Sequence, residues 1–136
     1  MNLDHIDKQI IEILQKKGRD SASHIAIEIG MSVPAVTDRI RKLQDTEVIT
    51  GFQAIVNPRM IGLDVSALIT IISESSEHYT EVVESAKHTP EVIQCFTTTG
   101  NGSHVLIIQT ENTWSLEKLL RQIQAWPGVM RTETQI

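Results

Sequence analysis

Cysteine is almost missing from this sequence: the single Cys95 excludes an intramolecular disulfide and supplies no metal cluster by itself, which fits a reducing compartment. Its expected place is as a small core hydrophobe. Proline and glycine are scarce too, 4 and 7 among 136 residues, and aromatic residues make up 4%. Set beside 40% hydrophobic residues, that scarcity excludes a globally disordered chain and leaves room for one ordinary domain or two small ones. No apolar run approaches the roughly 18 residues of a membrane span. The start, "MNLDHIDKQ", lacks the basic-then-apolar order of a signal peptide, so a cytoplasmic protein with no membrane partner is expected.

Positive charge is also in short supply. The formal net charge is -5, and the deficit is uneven: residues 1–50 hold 7 Lys/Arg against 8 Asp/Glu, whereas residues 51–136 hold 5 against 9. Three of the few cations, Arg39, Arg41 and Lys42, nevertheless sit within four positions. Such a chain repels polyanions unless its cations are gathered where a partner meets them.

Hydrophobic periodicity divides the chain at the same place as the charge. Ile6, Ile10, Ile13 and Leu14 fall at helical spacing after Asp4, with Asp7 three residues on as in a capping box. "GRDSASHIAIEIG" offers Gly18 as a stop, Ser21 as a cap, an apolar face of Ala22, Ile25, Ala26 and Ile29, and Gly30 as a second stop. Ser32 then caps a third helix with Pro34 in its first turn and Val36, Ile40 and Leu43 along one face. Two short helices joined only by "GMS" have the spacing of a helix-turn-helix, with the preceding helix completing a small core. With Val36, Ile40 and Leu43 inward, Pro34, Ala35, Asp38, Arg41 and Lys42 point outward and Thr37 and Arg39 lie on the flanks. Together with the cap Ser32, these eight residues are the candidate DNA-binding face, since small residues at the start of a helix followed by cations suit a major groove.

"EVITGFQAIVNP" reads as two short extended pieces broken at Gly51 and ended by Asn57-Pro58, a wing or connecting strand. Beyond it come a β-branched run (65–73), a helical segment with Tyr79, Val82, Val83 and Ala86, strands at 92–99 and 104–110 around "GNGS", a helix with Trp114, Leu119, Leu120 and Ile123, and a final extended stretch. The order β-α-β-β-α-β is the ferredoxin-like arrangement, with helices on one sheet face and the other free for a partner. Consecutive apolar residues in "ALITII" and "VLII" predict strands covered on both faces, hence a dimer or larger. The expected class is therefore α+β: a winged helix-turn-helix domain at 1–50, a linker or wing strand at 51–62, and a ferredoxin-like βαββαβ domain at 63–136.

The whole chain resembles the Lrp/AsnC (feast/famine) family of transcription regulators. The residues that carry the likeness are "LDHIDKQIIEILQKKGRDS", "MSVPAVTDRIRKL", "VITGFQAIVNPRMIGL", "PEVIQCFTTTG" and "PGVMRTET", in that order. The resemblance implies sequence-specific binding of double-stranded DNA, self-association into dimers and often octamers, and an amino acid or related small-molecule effector held near the turn between the second and third effector-domain strands, where dimers meet. Carried onto this chain, the candidate effector residues are Gly100, Asn101, Gly102, Ser103, His104 and Thr134. The same glycines also satisfy a bare hairpin turn, and that reading stays open. Two positions depart from the family pattern. Glu47 stands where a glycine follows the recognition helix, and Ser103-His104 stands where an Asp-aromatic pair is usual, which removes a carboxylate suited to a ligand ammonium and leaves a different ligand, or none, open. The last strand also ends earlier here, at Ile136, than is usual in the family.

Catalytic and metal signals are thin. His5, His24, His78, His88 and His104 lack the paired spacing of a metal site, and no nucleophile elbow or phosphate loop accompanies the Ser, His and Asp residues, so no cofactor, metal or enzyme activity is expected. Two alternatives share the architecture. One is an enzyme resembling siroheme decarboxylases, whose site uses His and Arg, whereas residues 92–104 contain no Arg and only His104. The other is a ligand-binding or docking module whose helix-turn-helix no longer touches DNA.

Overall fold

A computed structural model describes residues 2–136 of the chain. Two compact units divide it, one ending at Ile55 and the other running Val56–Ile136.

The first unit is three helices. Helix α1, His5–Lys16, opens on the capping box the sequence announces: the Asp7 amide donates to Asp4 Oδ1 at 2.8 Å and the Asp4 amide to Asp7 Oδ2 at 3.3 Å. Helix α2, Ala22–Ile29, is capped by Ser21 and stopped by Gly30, whose φ of 72° is the left-handed conformation glycine tolerates best. Helix α3, Val33–Asp45, starts at Ser32 with Pro34 in its first turn. Ile10, Leu14, Ile25, Ala26, Val36 and Leu43 form the core, and Ile40 packs against it half-buried. Just after α3, Glu47 takes φ 60° while the Ile49 amide donates to the Leu43 carbonyl at 2.9 Å. The chain thus keeps a glycine-type helix ending with a side chain in it, at roughly 1 kcal/mol of strain.

The extended pieces expected after α3 do not form a strand ladder: residues 51–57 belong to no helix or strand, and Pro58–Ile61 makes a 3-10 turn capped by Asn57. Gly51 and Pro58 break the segment, and a lone extended stretch without a neighbour has no ladder to join.

The second unit is a four-stranded antiparallel sheet in the order β2-β3-β1-β4, built from β1 (Val65–Ser73), β2 (Val92–Thr97), β3 (His104–Thr110) and β4 (Val129–Gln135). Helices α4 (Tyr79–Lys87) and α5 (Thr113–Gln124) pack on one face. Alternation fixes which side chains meet them: Ala67, Ile69 and Ile71 of β1 pair in register with Ile108, Leu106 and His104 of β3, and the five aliphatics among them join Val82, Ala86, Leu116, Leu119 and Ile123 in the core. Cys95 packs at the edge of that core, and burial pushes its thiol pKa up, as expected of a structural cysteine. The opposite sheet face carries Leu68, Val105, Ile107 and Phe96, the last 47% exposed.

Candidate nucleic-acid interface and effector-domain turn

The exposed side of α3 holds most of the residues that sequence reasoning assigned to it. Ser32, Pro34, Thr37, Arg41 and Lys42 are exposed, while Ala35 and Asp38 are partly covered. The Ser32 hydroxyl is engaged as the cap, accepting from the Ala35 amide at 3.3 Å. Arg39 behaves differently. Its Nη1 donates to both carboxylate oxygens of Asp4, at 2.7 and 2.6 Å, and to Asp7 Oδ1 at 3.1 Å. Asp7 is buried, so this guanidinium compensates a carboxylate that could not stay in place alone. Hydrogen bonding to Arg39 holds the Asp4 carboxyl below its usual range. Arg39 is a strut between the start of α1 and the middle of α3, made through Nη1 alone, and its side chain stays 29% exposed on the flank of the candidate DNA face.

The other two cations are also engaged. Asp38 accepts from Arg41 Nη2 at 2.5 Å through one oxygen and from Lys42 Nζ at 3.1 Å through the other, and Asp45 stands 3.8 Å from Arg41 Nη1. These bonds, that to Arg41 foremost, lower the Asp38 pKa. All four side chains remain between 43% and 67% exposed, so each contact is weak and exchangeable.

The turn between β2 and β3 is built more tightly than a ligand-approach site requires. Gly100 takes φ 99°. Gly102 does not need a positive torsion; a Cβ there would lie 2.4 Å from Thr70 Cγ2, so glycine is required for close packing on β1. The Ser103 amide donates to the Ile71 carbonyl at 2.8 Å, and the Ser103 hydroxyl lies 2.6 Å from the Ser73 hydroxyl and 2.7 Å from His104 Nδ1. His104 is fully buried, edge-on to Tyr79 with ring centroids 4.9 Å apart, and its Nε2 has no partner. Burial lowers its pKa. Ser103 and His104 thus face the interior of their own subunit, and the only histidine in 92–104 is not presented to a bulky ligand. Gly100 and Asn101 are the exposed members of the group. Thr134 is not beside them: it pairs with Ile69 across β1, two rows from the Ile71 level at which β3 begins.

Sequence reasoning passed over one cluster. Asp20, just before the Ser21 cap, and His24 and Glu28 on α2 stand four residues apart and bring one ligand atom each to within 4.8 Å of one another. The spacing was readable as one helical stripe. The 2.6 Å pair between His24 Nδ1 and Asp20 Oδ1 accounts for two of the three as an ordinary helix-start contact.

A helix-turn-helix whose third helix keeps a polar, cation-bearing side open, carried in one chain with a ferredoxin-like domain, is a two-part architecture that joins a candidate nucleic-acid interface to an effector-type domain. Comparison with known proteins narrows the class. Residues 3–44 match the AsnC-type helix-turn-helix domain and residues 65–136 the Lrp/AsnC ligand binding domain. The chain is 36% identical over 134 residues to the HTH-type transcriptional regulator FL11 of Pyrococcus furiosus, covering 98% of this chain and 88% of that protein. It is 31% identical over 136 residues to the regulatory protein AsnC of Haemophilus influenzae, covering 99% and 91%. Among solved structures, the feast or famine regulatory protein from M. tuberculosis complexed with L-methionine superposes with a TM-score of 0.89 at 31% identity, covering 98% of this chain and 90% of that one. The chain belongs to the Lrp/AsnC family of transcriptional regulators.

Proposed function

We propose that this regulator binds double-stranded DNA as a dimer or larger assembly, with Arg41 and Lys42 setting the register of α3 through phosphates and Ser32, Pro34, Ala35, Thr37 and Asp38 nearest the base edges. The observation that carries this reading is the exposed polar side of α3, with Arg41 and Lys42 held only by exchangeable surface ion pairs. Two recognition helices of a dimer reach successive major grooves about 34 Å apart. Because each domain offers few cations, affinity comes from linking several on one assembly. The half-exposed apolar sheet face of Leu68, Val105, Ile107 and Phe96 supports self-association, and the octamer of the family is the larger assembly we favour.

An amino acid or a related small molecule is the effector class, bound at the Gly100-Asn101 end of the turn with backbone amides as carboxylate donors. The solved relative with L-methionine supports that class. The chain works as a regulator without a catalytic step and in the cytoplasm, a reading that its similarity to HTH-type transcriptional regulators supports.

The test is the double substitution Arg41→Ala/Lys42→Ala. Operator binding should be abolished at physiological salt, and the slope of log K against log[salt] should fall by about two per subunit, with oligomer size in sedimentation unchanged. Unchanged binding would remove α3 as the contact surface. Calorimetric titration with the twenty amino acids tests the effector; no heat at millimolar concentration would remove it.

A further inference from the structure

Charge on α3 is balanced, and the balance turns on one residue. Arg41 and Lys42 share the Asp38 carboxylate, one oxygen each, and Asp45 adds a second carboxylate beside Arg41. The charge of Arg39 is paired with Asp4 and Asp7. The exposed side of the helix therefore has no net positive charge with which to attract a phosphate backbone indiscriminately. A helix built only to hold polyanions would not place an acid one turn before its cations, where it ties up both.

We propose that Asp38 is the specificity-determining residue of α3: an internal counter-ion that keeps Arg41 and Lys42 engaged until the helix lies over a base edge able to donate to its carboxylate. This rests on the DNA-binding reading above. When Arg41 and Lys42 swing to phosphates, both oxygens of Asp38 lose their donors and a carboxylate is left facing a polyanion. That state is disfavoured unless a new donor replaces them. The major groove offers two such donors, the N4 amino group of cytosine and the N6 amino group of adenine, while guanine N7 and O6 and thymine O4 present acceptors that repel a carboxylate. Small neighbours assist: Pro34 and Ala35, one turn earlier, leave the Asp38 side chain room to approach the edge. Partner exchange costs little on the protein side, because Arg41 and Lys42 are more than 60% exposed and Asp38 is 43% exposed. Discrimination then comes from rejecting the wrong edge as much as from holding the right one.

The experiment uses the full chain and a random-sequence duplex pool. Rounds of binding and amplification are run in parallel for the wild type, Asp38→Asn and Asp45→Asn, and affinity for the unselected pool is measured at two salt concentrations. The wild type should select a motif with cytosine or adenine at one fixed position in each half-site. Asp38→Asn should lose that preference and bind the unselected pool about tenfold or more tightly, because a negative charge has been removed from a face that meets many phosphates. Asp45 lies seven residues further on, roughly 10 Å along the axis. Asp45→Asn should raise affinity for the pool while leaving the motif intact, which separates charge relief from base reading. An Asp38→Asn protein with the wild-type motif and pool affinity within twofold of wild type overturns the inference and leaves the DNA-binding reading standing. If neither wild type nor variants retain any duplex, both fall together.

Discussion

Gly102 stands where a methyl group has no room. A Cβ at that position lies 2.4 Å from Thr70 Cγ2 and 3.4 Å from the Ile71 carbonyl oxygen. An unstrained carbon pair needs about 3.5–4.0 Å, so Gly102→Ala drives the turn away from β1 by about 1 Å or moves Thr70 by as much. The bond on that line of retreat is the one from the Ser103 amide to the Ile71 carbonyl, 2.8 Å long and next in sequence to the clash. Overpacking of this kind costs roughly 1–3 kcal/mol, and weakening one buried hydrogen bond adds about 1 kcal/mol. A total of roughly 2–4 kcal/mol in a unit of this size lowers Tm by about 10 °C or more. Scanning calorimetry of the full chain should show the loss in the transition of the C-terminal unit. Thr70→Ser removes Cγ2 while keeping the hydroxyl, so in the Gly102→Ala background it should restore more than half of the loss, a coupling that a double-mutant cycle reads directly. Gly102→Ala with an unchanged Tm, or a loss that Thr70→Ser does not reduce, refutes the steric account. An unchanged Tm combined with lost effector binding would instead make Gly102 a ligand contact.

Three further outcomes follow from single residues. Glu47→Gly should stabilise the N-terminal unit by roughly 0.5–1 kcal/mol by relieving the 60° torsion, whereas Glu47→Ala, which keeps a Cβ, should not; equal effects from both would trace the gain to charge instead. Arg39→Ala should lower the thermal stability of the N-terminal unit, because Asp7 loses its compensating donor, with DNA affinity falling only as far as folding does. A stable Arg39→Ala protein that no longer binds DNA would return Arg39 to the interface. The lowered pKa of His104 makes a contribution to stability that is fully present above the ordinary value of 6.5 and is lost as pH falls through the folded-state value, by about 1.4 kcal/mol for each unit by which the two differ. Denaturant midpoints between pH 7 and pH 5 should fall less steeply for His104→Phe than for the wild type; parallel curves would show that another group sets the acid limb.

Local signals were read well because they are local. Asp4, Ser21 and Ser32 each lie next to the periodic apolar residues they cap, and Gly30 takes the torsion that a stop demands. The β-α-β-β-α-β order follows from period and turn residues alone, and the sheet pairs as that order requires. What escaped was pairing across distance. Arg39 meets Asp4 and Asp7 from 35 and 32 residues away, and nothing in helical spacing tells a flanking cation on α3 that a buried carboxylate on α1 needs it. The interior position of His104 was written in the sequence, since it is in phase with Leu106, Ile108 and Thr110 along β3, but a turn motif ending at that residue drew it outward. The segment after α3 was read as short strands and belongs to none, because a strand is made by its neighbour and not by its own residues.

Asp4 does two jobs with one carboxylate: it closes the first turn of α1 and anchors the guanidinium in the middle of α3. Fraying of the first turn of α1 and misorientation of α3 are therefore one event, not two. A change confined to Asp4 reaches α3 without passing through the aliphatic core, and anything that unwinds the opening turn of α1 also releases the guanidinium of Arg39.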